Sequence, residues 1–215
     1  MKDSKPLEQC QLYTFIDSAY LRGRDPVFVA QQLCDGGSDL IQLRAKDYSP
    51  DRIREIASAI LPITNRAGVG LVINDYLSIA AEIRAPYCHL GQEDFFDAGH
   101  THIDQLREQA QAVRIGLSSH APEQAKRAVA AAAAYVAIGP VFATGTKPTA
   151  KPVTLDYVRW ASQNVTIPWF AIGGINLSNI DSVLAAGARR ICVVSAILNR
   201  DDITSACREF KQRLQ

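Results

Sequence analysis

The chain has 215 residues, 47% hydrophobic and 21% charged, enough apolar material for one globular domain, or at most two, that folds without staples. A formal net charge of +1 argues against nucleic acid or an acidic membrane surface as the main partner. The five cysteines (Cys10, Cys34, Cys88, Cys192, Cys207) are scattered and never spaced C-x-x-C, which argues against a disulfide framework or zinc site and fits reduced thiols in a cytoplasmic protein.

Residues 1–11 read as a short charged extension without the apolar run of a signal peptide. No later stretch approaches the ~18 consecutive apolar residues of a membrane span. Short apolar runs suited to buried strands then recur roughly every 20 to 30 residues. In chain order they are LYTFID (12–17), LIQLRAK (40–46), GLVIND (70–75), YCHLGQED (87–94), VRIGLSS (113–119), YVAIGPVF (135–142), WFAIGGI (169–175) and RICVVSAI (190–197). Helix signals fill the intervals. Asp25-Pro26 and Ser49-Pro50 each pair a capping side chain with a proline at the first helical position. Ile53, Ile56, Ala57 and Ile60 repeat at the spacing of one buried helix face. Leu177, Ile180, Val183 and Leu184 do the same before Gly187, a glycine placed to end a helix. The alanine run 130–134 reads as a helix end packed on a sheet, and Ile203, Cys207, Phe210 and Leu214 mark a last amphipathic helix. Strand then helix, eight times over, predicts an α/β fold of the (β/α)8 TIM-barrel type, a single domain over residues 1–215. A doubly wound sheet also alternates, but the first strand–helix turn lacks the G-x-G-x-x-G of its dinucleotide-binding members.

In such a barrel the carboxyl ends of the strands form the active face. Those ends collect Asp17, Arg44, Lys46, Asn74, Asp75, Gln92, Glu93, Asp94, Ser118, Thr144, Thr146, Lys147, Gly173, Gly174 and Ser195, while the amino ends are bland. The asymmetry points to an enzyme. Gln42, Arg44 and Lys46 are spaced by two and project to one side of a strand. They offer an amide for a base-like ring and two cations for a phosphate chain. Asp75 and Asp94 end consecutive strands, which suits a Mg2+ site, a general acid/base pair or two helix N-caps. Gly173-Gly174 and Val194-Ser195 close the seventh and eighth strands, where this fold cradles phosphate. His89 reads as a satisfied near-core residue, His100 and His102 as loop residues, and His120 as a strand-end residue without an assigned role.

QLRAKD, INDY, HLGQED, GLSSH, GPVFATGTKP, AIGGI and VVSAI occur in that order, from about residue 12 to 198, and closely resemble the thiamine-phosphate synthase family. The resemblance implies a transferase of thiamine biosynthesis. It would condense 4-amino-2-methyl-5-hydroxymethylpyrimidine diphosphate with 4-methyl-5-(2-phosphoethyl)thiazole, releasing pyrophosphate, with Mg2+ as cofactor. Carried over by position, Gln42 would read the aminopyrimidine, and Arg44, Lys46, Asn74 and Lys147 would hold the diphosphate. Asp75 and Asp94 would bind Mg2+, and Ser118 would sit at the pyrimidine end. Thr144, Thr146, Gly174, Val194 and Ser195 would hold the thiazole phosphate. Arg44, Lys46, Lys147 and Ser118 are the implied catalytic set. Family chemistry runs through a pyrimidine carbocation attacked by the thiazole nitrogen, so no protein nucleophile is implied.

Tyr76 departs from the commoner pattern, in which Arg follows the N-D pair. Implied partners are the two small-molecule substrates, with no nucleic acid and no membrane, and homo-oligomerisation is left open. Alternatives are a thiazole tautomerase on the same barrel, another phosphate-substrate isomerase or lyase, and a noncatalytic thiamine-phosphate binding protein. The intact Arg44, Lys46, Asp75, Asp94 and T-x-T-K argue for the synthase.

Overall fold

The computed structural model describes residues 4–145 and 151–215. Thr146 and Lys147, named above, lie outside the described residues.

Local sequence explains where each element starts. Strand β1 (Leu12–Asp17) leads through a short 3-10 turn to helix α1 (Pro26–Asp35), whose Asp25 cap accepts from the N–H groups of Val27 and Phe28. Strand β2 (Leu40–Arg44) precedes α2 (Pro50–Ala67), capped by Ser49 and ended by Gly68 in the left-handed region. The stripe Ile53, Ile56, Ala57 and Ile60 is buried, as its spacing predicts. β3 (Gly70–Asn74), α3 (Leu77–Glu82), β4 (Tyr87–Leu90) and α4 (Gln92–Phe96) follow. Then come β5 (Arg114–Ser119), α5 (Pro122–Ala130), β6 (Tyr135–Ile138) and α6 (Thr154–Asn164). β7 (Trp169–Ala171), α7 (Ile180–Ala185), β8 (Ile191–Val193), α8 (Ser195–Leu198) and α9 (Ile203–Arg213) complete the chain.

The eight strands pair in sequence order, all parallel, and β8 returns to β1 to close a barrel. Closure leaves no sheet edge exposed and gathers all eight strand ends at one mouth. One expectation needs correction. The apolar run 87–94 does not stay extended: β4 stops at Leu90, Gly91 becomes an N-cap, and Asp94 falls in the first turn of α4. Carboxylates at Glu93 and Asp94 suit the positive end of a helix better than a strand. Neither Asp75 nor Asp94 is an N-cap; Tyr76 and Gly91 hold those positions.

The core has two compartments. One lies between strands and helices and is mainly aliphatic. The other fills the barrel itself and is strongly aromatic, with Tyr13, Phe15, Tyr87, Tyr135 and Phe170 around Leu40, Val72 and Cys192. Tyr13 stacks on Phe15 at 5.1 Å and meets Tyr135 and Phe170 edge-on at 5.9 and 5.3 Å, arrangements that rings favour. Within the extension 1–11, a 3-10 turn at Leu7–Gln9 buries Leu7 and Cys10 against this interior.

At the amino end, buried Asp39 ties the two chain termini together. Its carboxylate accepts from the N–H groups of Gln11 and Leu12 at 2.7 and 3.0 Å, and from the ammonium groups of Lys5 at 3.0 Å and of Lys211 on α9. Burial alone would raise its pKa, but the Lys211 ammonium, the two N–H groups and Lys5 outweigh burial and hold it below the usual carboxylate value. A depressed folded-state pKa stabilises the fold above the unfolded value of about 4, and that contribution is lost as pH falls further. Asp39→Asn is therefore expected to lower the denaturation midpoint at pH 6, with the gap to the parent narrowing below about pH 4. A gap independent of pH would remove the carboxylate's charge from the account.

Candidate active site

The barrel mouth opens into a cavity of about 260 Å³ lined from nearly every strand. Its lining contains Gln42, Arg44, Lys46, Asn74, Asp75, Asp94, Ser118, Thr144, Gly174, Val194 and Ser195. Every sequence-assigned site residue among the described residues is thus brought together.

On β2 the two-residue spacing puts Gln42 and Arg44 on the inner face, and Lys46 follows on the loop beyond. Arg44 is held by a 2.7 Å ion pair to Asp17, which is fully buried at the end of β1. The other Asp17 oxygen accepts from Ala19 N–H at 3.1 Å, so the carboxylate is fixed before it fixes the guanidinium. Lys46 is more exposed and lies 3.6 Å from Asp75. Asp75 adopts φ 65, a conformation that Asp tolerates better than most residues, and its N–H donates to His89 O at 2.9 Å. Backbone held in this sparsely populated region is commonly a feature of functional sites.

Asp75 and Asp94 share the cavity wall with Glu93. Among the described residues no group of three or more His, Cys, Asp or Glu could hold a metal ion. Two hard carboxylate donors, completed by water and phosphate oxygens, are how proteins commonly hold Mg2+. The donor set therefore fits Mg2+ arriving with a diphosphate, and does not fit an all-protein metal cage.

Across the mouth the wall is backbone. Gly173 and Gly174 follow β7 with φ 103 and 65, and both line the cavity. Their loop is clamped from both sides. Val141 N–H donates to Ile172 O at 2.8 Å and Phe142 N–H to Gly173 O at 3.0 Å, while Asn179 donates to Gly174 O at 2.9 Å. Val194 and Ser195 reach the same cavity from β8 and the start of α8. Ser118 on β5 is buried, and its hydroxyl accepts from Gln92 N–H at 3.1 Å.

Several cavity residues escape a reading by motif. Tyr13 and Phe15 form part of the lining, although their alternation on β1 marks them as core. His89 is half-buried, lines the cavity and joins Tyr135 at 3.1 Å, so it is both a packed residue and a wall of the site. His120 also lines it, with Nδ1 against Gly139 O. Asn179, which anchors the glycine loop, carries no sequence signal, because its role depends on a carbonyl five residues earlier in a turn. No covalent nucleophile is on offer from the neighbouring thiols: burial pushes those of Cys88 and Cys192 far up and keeps them protonated.

A family model described as thiamine monophosphate synthase matches residues 12–197. The thiamine-phosphate synthase of Thermus thermophilus is 43% identical over 180 residues, covering 83% of this chain and 84% of that protein. The thiamine-phosphate synthase of Chloroflexus aurantiacus is 38% identical over 202 residues, covering 94% of this chain and 91% of that protein. Among solved structures, thiamine phosphate pyrophosphorylase from Pyrococcus furiosus superposes with a TM-score of 0.85 at 27% identity, covering 98% of both chains. With the match spanning nearly all of the barrel and its mouth, the chain belongs to the thiamine monophosphate synthase family.

Proposed function

We propose that this chain joins 4-amino-2-methyl-5-hydroxymethylpyrimidine diphosphate to 4-methyl-5-(2-phosphoethyl)thiazole, forming thiamine phosphate and pyrophosphate. The observation that carries the reading is one cavity with two chemically different walls: cations and carboxylates from the β2–β4 side, and a glycine-containing loop with Val194 and Ser195 from the β7–β8 side, each suited to an anion. A single-phosphate isomerase has no use for the first wall.

Arg44, Lys46 and Asn74 take the diphosphate, with Lys147 assigned by sequence alone. Gly174, Val194, Ser195 and Thr144 take the thiazole phosphate, with Thr146 assigned likewise. Gln42 and Ser118 address the pyrimidine. As the bond from the methylene carbon to the diphosphate oxygen breaks, negative charge grows on the leaving group. The Arg44 guanidinium, already oriented by Asp17, stabilises that charge more in the transition state than in the ground state. Asp75 and Asp94 would hold Mg2+, which when bound supplies further charge neutralisation at the diphosphate. The thiazole nitrogen then donates its lone pair to the methylene carbon, and pyrophosphate carries away the bonding electrons. The aromatic lining from Tyr13 and Phe15 keeps the electron-poor carbon away from bulk water. A cytoplasmic location belongs to the same proposal, supported by five free cysteines.

The deciding experiment incubates the purified protein with both substrates, with Mg2+ or with chelator, and detects thiamine phosphate after oxidation to thiochrome. Product that requires Mg2+ is expected. Absence of product, while calorimetry still detects thiazole phosphate binding, would reduce the protein to a binder or an isomerase.

A further inference from the structure

Two side-chain amides grip the Gly174 carbonyl on the β7 side of the mouth. Asn179 Nδ2 donates to it at 2.9 Å and Asn176 Nδ2 at 3.3 Å. Neither amide can turn over without losing bonds. Asn179 Oδ1 accepts from the Asn176 N–H at 2.8 Å. Asn176 Oδ1 accepts from the N–H and the hydroxyl of Ser178 at 2.8 and 2.6 Å. A backbone N–H only donates and a backbone carbonyl only accepts, so these partners fix both amide orientations.

Helix building does not account for this arrangement. Asn179 is the N-cap of α7, where an asparagine ordinarily accepts from its own first turn, yet its side chain makes no such bond. It reaches backward instead, and what it fixes there is a peptide plane. In a trans peptide the carbonyl and the following N–H point in opposite directions. The Gly174 oxygen is drawn toward two asparagines that do not line the cavity, so the Ile175 N–H is directed away from them. Gly174 and Ile175 both do line it, and Ile175 is only 4% exposed. Among the described residues no acceptor pairs with that N–H. A backbone donor so enclosed needs a partner, and the cavity is where one can arrive. The two preceding carbonyls, of Ile172 and Gly173, are held by the Val141 and Phe142 N–H groups, so the loop is pinned on that side as well.

We propose that Asn179, assisted by Asn176, is a positioning residue that sets the Gly174–Ile175 peptide so that the Ile175 N–H donates to the bound phosphate. An N–H bond to an ionised oxygen is shorter and stronger than one to a neutral acceptor, so a phosphate monoester gains most from a peptide held ready in this way. The inference rests on the proposed function for the identity of that monoester as the thiazole phosphate, whereas the grip on the carbonyl does not.

The test has two arms. In protein labelled with ¹⁵N at isoleucine, the Ile175 amide is assigned by its loss in Ile175→Val, and inorganic phosphate is titrated in to saturation. The Ile175 proton is expected to move downfield in the wild type, as it takes a charged acceptor, and by less than half as much in Asn179→Ala. In the kinetic arm, Asn179→Ala is expected to raise KM for the thiazole phosphate by about tenfold and to leave KM for the pyrimidine diphosphate unchanged. A merely structural asparagine would lower the thermal midpoint and move both KM values together, with the Ile175 amide indifferent to phosphate. An Ile175 amide that stays in place in the wild type, or a folded Asn179→Ala with an unchanged KM for the thiazole phosphate or an equal loss on both substrates, would overturn the positioning role. A wild type whose Ile175 amide answers to phosphate but that makes no thiamine phosphate would instead overturn the functional reading.

Discussion

Arg44→Ala is expected to lower kcat/KM for thiamine phosphate formation by about 10²–10³-fold and to destabilise the fold by about 3 kcal/mol. The two effects have different origins. Under the proposed mechanism, activity falls because a cation is removed from the place where charge develops on the leaving diphosphate. Stability falls because Asp17, with no solvent exposure, loses the partner 2.7 Å away and keeps, among the described residues, the Ala19 N–H. Breaking a buried pair from one side costs more than the pair contributes, since the surviving charge is stranded.

Arg44 is itself 14% exposed at its side chain, which admits some water to the site and argues for the lower end of the range. The double variant Asp17→Asn/Arg44→Ala separates the origins. It is expected to recover most of the denaturation midpoint and none of the rate. Recovery of rate along with stability would show that Arg44 serves only to neutralise Asp17.

Gly173→Ala is expected to cost about 3 kcal/mol and to abolish measurable thiazole phosphate binding in calorimetry. The position has φ 103, which an L side chain rarely adopts, and an added Cβ would sit 2.5 Å from Pro140 Cα. That neighbour is backbone and cannot rotate aside. Relief would require the strand β6 exit and the strand β7 exit to separate, breaking the bonds of Val141 and Phe142 to Ile172 and Gly173. The loop carrying Thr144 would move with them. Gly99→Ala provides the control: its φ is 87, but nothing lies within 4 Å of the added carbon, so only the backbone term of about 1 kcal/mol is expected. Equal behaviour of the two variants would mean that crowding at Pro140 plays no part in holding the cradle.

Patterns confined to a few residues were the legible part of the chain. Caps at Asp25 and Ser49, the Ile53–Ile60 stripe and eight apolar runs are local, because helix and strand periodicity repeats within one element. Charged motifs at strand ends were legible for the same reason: in a closed parallel barrel every strand points the same way, so chain position alone puts them at one mouth. The run through Asp94 misled because a strand and a short helix can share an apolar lead-in, and only Gly91 marks the change.

By itself, then, the sequence determined the (β/α)8 barrel and the set of polar residues at its mouth, which follow from local pattern combined with one direction of winding, and its ordered motifs carried the resemblance to the family. Tertiary structure alone decided which residues touch across the barrel. Tyr13, Gln42, His89 and Tyr135 sit on four different strands, and although Gln42 stands out as a site residue, nothing in any one strand pairs it with the other three. Asp17 holds Arg44 from 27 residues away, and Asp39 joins both termini. Such partners are invisible to periodicity, since a hydrogen bond between distant strands depends on barrel register and closure rather than on neighbours in the chain.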